Sequence, residues 1–174
     1  MARPRRERAW VRGAQAGSVS DLEALFREHW PRAYRAAYLV VHDPAAAEDI
    51  AQESFLAAIR HLDRFERWRP FGPWLHRIVV NRAIDWARAR ALRAEVGGEA
   101  FTHAPAGSDP ASNPYSDETA AVLAALSPEH RAVIVLRHLL EYTPGEIARI
   151  LDLPRGTVNS RLRRGLDQLK ERLE

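Results

Sequence analysis

At 174 residues, with 46% apolar residues and a net charge of +3, the chain is long enough to bury a core as one ordinary domain or two small ones. It has no cysteine, which excludes disulfides, cysteine-based zinc sites and thiol nucleophiles, and its seven histidines are scattered without metal-ligand spacing, so neither metal nor cofactor is expected. No stretch approaches the roughly 18 apolar residues of a membrane span, and no apolar signal core follows the basic N-terminus, so a soluble cytoplasmic protein without membrane insertion is expected.

The modest net charge hides segregation: residues 1–12 carry +4 and 64–93 carry +6, against −4 for 21–53 and −5 for 94–120. Residues 1–18, rich in arginine, glycine and serine, read as a basic flexible arm. Helical periodicity begins at Ser20-Asp21-Leu22-Glu23, a capping-box pattern, and runs through Leu25, Phe26, Tyr34, Tyr38 and Val41, with Pro31 expected to kink or divide it. Asp43-Pro44 starts the next helix, with Ile50, Phe55, Leu56 and Ile59 on its apolar side. Asp49, Gln52 and Glu53 share another side of that helix. They form either a merely solvated face or a docking surface for a basic or polar helix.

A basic, aromatic loop from Phe65 to Pro73 leads into a helix from about Trp74 to Arg93, with Trp74, Leu75, Ile78, Val79 and Ile84 apolar. Arg64, Arg67, Arg69, Arg77, Arg82, Arg88, Arg90 and Arg93 surround Phe65, Trp68, Phe71, Trp74 and Trp86. Charge for a phosphate backbone interleaved with flat rings for unstacked bases suits single-stranded DNA. Spacing assigns Phe71 and Trp74 to the core and leaves Trp68 for contact, while Asn81 and Asp85, one turn apart, can hydrogen-bond a base edge. Periodicity then vanishes from about Glu95 to Asp117, a glycine-, proline- and acid-rich linker. No strand pattern appears, so an all-α fold of two small helical domains is expected.

The C-terminal stretch reads as a helix-turn-helix. Ser127 and Pro128 open one helix; Thr143-Pro144-Gly145-Glu146 opens a short second one with a capping box; Leu151-Asp152-Leu153-Pro154 turns the chain. A third helix runs from about Gly156 to Leu173, burying Val158, Leu162, Leu166, Leu169 and Leu173. Asn159, Ser160, Arg163 and Arg164 point elsewhere, and they are the residue types that read base edges and grip phosphate in a major groove.

Three blocks in order carry a family resemblance: Asp43-Pro44-Ala45-Ala46-Ala47-Glu48-Asp49-Ile50-Ala51-Gln52-Glu53-Ser54-Phe55, Trp74-Leu75-His76-Arg77-Ile78-Val79-Val80-Asn81, and Gly156-Thr157-Val158-Asn159-Ser160-Arg161-Leu162. The chain resembles the extracytoplasmic-function (group IV) sigma factors of bacterial RNA polymerase over about Asp21–Arg93 and Leu126–Leu173. The resemblance implies a region 2 bundle (19–94) for core polymerase and the −10 element, an acidic linker (95–117) threading toward the RNA exit path, and a region 4 helix-turn-helix (118–174) for the −35 element. It also implies roles. Asp49, Gln52 and Glu53 would meet the clamp helices of the largest polymerase subunit, and region 4 its flap. Arg64, Arg67, Trp68, Arg69, Asn81, Arg82, Asp85 and Arg88 would read the −10 element and capture a flipped base. Arg155, Thr157, Asn159, Ser160, Arg161, Arg163 and Arg164 would meet the −35 element, with Arg155 and Arg161 on phosphates or in packing. Regulation would come from a separate anti-sigma factor, and the protein would be no enzyme. Gly72-Pro73 departs from the polar or basic residues more usual there. The rival readings are a stand-alone helix-turn-helix regulator and, more distantly, an enzyme on a helical domain.

Overall fold

The computed structural model describes residues 3–97 and 117–173, so the greater part of the acidic linker lies outside the described residues. Among these residues there are helices and turns and no strand. The N-terminal half contains α1 (Arg3–Gln15), α2 (Val19–Val41), α3 (Pro44–Arg60), a single 3₁₀ turn (Leu62–Arg64) and α4 (Phe71–Gly97).

The segment expected as a flexible arm is instead largely helical. Val11 of α1 is buried in the core, and Gly13 lies so close to α2 that a Cβ there would sit 1.8 Å from the Asp21 carboxylate. Gly17 (φ 91°) turns the chain, and Ser18 caps α2 by accepting from the Asp21 N–H, two residues before the expected start at Ser20. Pro31 does not divide α2, which is continuous from Val19 to Val41. Proline costs the helix one hydrogen bond, and the buried residues on either side of it, Leu25, Ala33, Ala36, Ala37 and Val40, hold both segments against the core.

His42, in the left-handed conformation, ends α2, and Asp43 caps α3 by accepting from the Ala46 N–H at 3.0 Å. The buried face of α3 is mostly small (Ala46, Ala47, Ala51, Ser54, Ala58), which lets it approach α2 and α4 closely. Leu56 and Ile59, expected on its buried side, are 46% and 39% exposed. Position Ile50–Ser54–Phe55–Ala58 takes the core, and those two side chains lie off that stripe. α4 begins at Phe71, three residues before the expected Trp74, because Phe71 itself is a core residue.

The C-terminal half contains α5 (Asp117–Ala124), α6 (Pro128–Ile134) continued by a π-helical turn (Val135–Leu139), α7 (Pro144–Leu151) and α8 (Arg155–Leu173). Ser127 caps α6, and the Thr143–Glu146 capping box is present in both directions. Asp152, at φ 53°, ends α7 in the left-handed conformation. Val158 is buried and Leu162 and Leu169 pack partly against the core, but Leu166, expected inside, is 44% exposed. Gly165 faces α6 in its place, where an added Cβ would lie 3.3 Å from Ile134.

The halves pack together, α4 against α6 and α7 and α2 against α6. Arg131 of α6 is buried at this junction. It donates to the carbonyls of Leu123, Ala124 and Leu126 at 2.8–2.9 Å and to that of Val40 in the last turn of α2. Those of Val40, Leu123 and Ala124 are carbonyls in the last turns of α2 and α5, which carry partial negative charge and lack intrahelical donors; that of Leu126 lies in the connection to α6. Burial lowers the Arg131 guanidinium to about 10, so it stays charged at neutral pH. A second junction bond joins His76 Nδ1 of α4 to the Tyr142 hydroxyl at 2.7 Å.

Candidate nucleic-acid interface

The loop between α3 and α4 is anchored by one ring and exposes another. Phe65 is buried, its ring 4.6 Å from Trp74 and 5.9 Å from Phe71. The chain then turns outward, with the Arg69 N–H bonded to the Glu66 carbonyl at 2.9 Å. Trp68 is 64% exposed, and the Arg69 guanidinium lies 4.9 Å from its ring while pairing with Glu66 at 2.6 Å. Arg64 and Arg67 are exposed beside it. Arg64, Arg67, Trp68 and Arg69 are thus all exposed along this one short segment.

The other expected −10 residues lie on α4. Asn81 and Arg82 are half-buried, and Asp85 and Arg88 are exposed. Arg82 is paired with Glu53 of α3 at 2.9 Å, which joins the expected DNA and polymerase surfaces at their border. Arg88 is paired across the junction with Glu129 of α6 at 2.5 Å. Burial alone would raise the Glu129 carboxyl, but a backbone hydrogen bond and Arg88 hold it below its ordinary value.

On α3, Asp49, Gln52 and Glu53 are all exposed. Leu56 and Ile59 continue the same side of the helix, and Phe26 of α2, 39% exposed, packs on Phe55 with ring centroids 4.9 Å apart. The acidic patch thus continues into an apolar one. Periodicity alone places Leu56 and Ile59 on the apolar side of α3 and Phe26 among the apolar positions of α2; the continuation at four-residue spacing from Gln52 to Leu56 is the signal for the exposed side.

In the helix-turn-helix, the Glu146 carboxylate accepts from the Thr143 N–H at 2.8 Å, and the Thr143 hydroxyl accepts from the Glu146 N–H at 3.3 Å. On α8, Arg155, Asn159, Arg163 and Arg164 are exposed, while Thr157, Ser160 and Arg161 are half-buried. Arg155, Asn159 and Arg163 fall at four-residue spacing, so one stripe carries two guanidiniums and an amide. Arg161 lies near α6, where its charge favours the ionised form of Glu129.

The family model for Sigma-70 region 2 matches residues 25–93, and that for Sigma-70 region 4 matches residues 122–171. The sigma factor SigL of Mycobacterium tuberculosis is 35% identical over 170 residues, covering 95% of this chain and 96% of that protein. The sigma factor SigE of Mycolicibacterium smegmatis is 34% identical over 92% of this chain, which spans 64% of that longer relative. Among solved structures, CnrH in complex with the cytosolic domain of CnrY matches with a TM-score of 0.73 and 27% identity over 97% of both chains. The chain belongs to the extracytoplasmic-function sigma factors. As such it directs RNA polymerase to promoters. The loop and the exposed residues of α3 and α4 fall within the region 2 match, and α8 through Glu171 falls within the region 4 match. Helix α1 lies ahead of both.

Proposed function

We propose that this sigma factor holds promoter DNA at two places and the polymerase at a third. The loop carrying Arg64, Arg67, Trp68 and Arg69, with Asn81, Arg82, Asp85 and Arg88 of α4, reads the −10 element as single strand. Arginines take the backbone, and the exposed indole offers a face to an unstacked base. The α8 residues Arg155, Thr157, Asn159, Ser160, Arg161, Arg163 and Arg164 hold the −35 element as duplex. Asp49, Gln52 and Glu53 dock on the clamp helices of the largest subunit, with Phe26, Leu56 and Ile59 adding apolar area beside them, while region 4 meets the flap. The protein performs no catalysis of its own, works in the cytoplasm and answers to a separate anti-sigma protein, as CnrH is held by the cytosolic domain of CnrY.

The observation that carries this reading is the exposed Trp68 beneath the Arg69 guanidinium on a loop anchored from within by Phe65. In the packed arrangement Arg88 is occupied by Glu129, so Arg88 reaches DNA only after the halves separate. The test is runoff transcription with purified core polymerase across promoters of the parent genome. Core plus this protein should initiate where core alone does not, and failure at every promoter would overturn the proposal. Arg164→Ala should weaken promoters that depend on the upstream element while core affinity is retained; the Asp49→Ala, Glu53→Ala double variant should do the reverse.

A further inference from the structure

We propose that Gln15 and Glu7 of α1 are positioning residues that hold the −10 reading loop in its binding shape; the inference rests on the assignment of that loop as the −10 reader. Glu7, Val11 and Gln15 are four residues apart and share one side of α1. Val11 is the buried anchor, and the polar residues two turns apart reach opposite ends of the loop. At its start, the Gln15 amide donates to the carbonyls of Leu62 and Phe65 at 2.8 and 2.9 Å, and its oxygen accepts from Arg67 Nε at 2.5 Å. At its end, one Glu7 carboxylate oxygen accepts from the Phe71 N–H at 2.8 Å, and the other lies 3.2 Å from His29 Nε2.

Each contact answers a need of the backbone. Phe71 is the first residue of α4, so its N–H has no acceptor within the helix, and a carboxylate there also meets the positive end of the helix dipole. The loop has little internal bonding to set its shape: beyond the Glu66–Arg69 turn, residues 66–70 are all exposed. Ordering such a segment on binding costs conformational entropy, and fixing it beforehand removes that cost from the DNA contact. Gln15 further fixes Arg67, a side chain of the reading surface, and His29 is confined between Glu7 and Gly72, where an added Cβ would lie 3.3 Å from the imidazole.

The experiment measures binding of holoenzyme to fluorescein-labelled single-stranded DNA carrying the non-template −10 segment of a promoter that the wild type opens, alongside the same strand with each −10 base replaced. Gln15→Leu should weaken the matched strand about tenfold, the worth of roughly two net hydrogen bonds, and reduce discrimination against the replaced bases. Affinity for core and for the −35 duplex should be unchanged. Gln15→Glu, which keeps the acceptor for Arg67 but lacks the two donors, should lose as much; wild-type binding by that variant would overturn the carbonyl clasp. Glu7→Leu should give a smaller loss in the same direction. A purely structural role would lower the melting temperature and leave base discrimination, measured well below it, at the wild-type ratio, and that result overturns the inference. Trp68→Ala, run in parallel, separates the two levels. If it loses the strand while Gln15→Leu does not, only the positioning inference falls; if it binds as wild type, the loop is not the reader and both fall.

Discussion

In region 4 the contacts that bound α7, the helix before the one proposed to meet DNA, are local. Thr143 and Glu146 cap each other three residues apart, and Asp152 returns its N–H to Ala148. In region 2 the loop proposed to meet DNA is shaped from a distance: its bonds to Gln15 and Glu7 join residues separated by 47, 50, 52 and 64 positions. A rigid duplex groove can be met by a helix that is preformed and merely exposed, whereas a flipped base needs a loop, and a loop must borrow its rigidity from the surrounding fold. Three long-range side-chain bonds cross between the halves: Arg131 to Val40 over 91 residues, His76 to Tyr142 over 66 and Arg88 to Glu129 over 41.

The junction gives the largest expected effect. Arg131→Met takes the guanidinium donor from four carbonyls, of which that of Leu123 keeps the Leu126 N–H, and should lower stability by about 3 kcal/mol in urea unfolding. A loss below about 1 kcal/mol would mean that water serves those carbonyls and the halves are nearly independent. The next effect depends on pH. Burial, with the nearby charge of His29 and Arg32, lowers His76 to about 3, while an unfolded histidine titrates near 6.5. The unfolded chain therefore takes the proton first: the contribution of neutral His76 is complete above pH 6.5 and declines as pH falls toward 3. Relative to His76→Gln, the wild type should lose about 3 kcal/mol between pH 7 and 4; a constant difference would show an imidazole open to solvent.

Thr143→Ala tests the local half. It removes one cap and should cost about 1 kcal/mol, with faster amide exchange confined to α7 and α8 and none gained in the loop before α4. Faster exchange in that loop as well would break the contrast between the halves. The smallest effect is expected at the exposed Glu53–Arg82 pair, whose side chains are 65% and 41% exposed. Glu53→Gln should change stability by less than about 0.5 kcal/mol, so any loss of polymerase affinity in this variant reports docking and not folding.

Residue types and spacing were enough to place six of the helices, α2, α3, α4, α6, α7 and α8, near their observed bounds, because Asp43, Ser127 and Thr143 cap helices through bonds only three residues long. The exposure of Asp49, Gln52, Glu53, Trp68, Asn159, Arg163 and Arg164 was legible for the same reason, since periodicity separates a polar side from an apolar one. Periodicity failed for Leu56, Ile59 and Leu166, because a helix in a small bundle is covered on fewer sides than its apolar residues would allow. Residues 3–15 were misread as an arm because their arginines dominate the composition, and the burial of Val11 depends on a groove that α2 supplies. Six of the helices, three of their caps, the charged surfaces and the family were thus legible from residue types alone, because they follow from residues within a turn or two of one another. The bonds from α1 to the loop between α3 and α4, and those of Arg131 and His76 between the halves, come from the packed fold alone, because hydrogen bonds between residues 47 to 91 positions apart exist only where packing brings their atoms within reach.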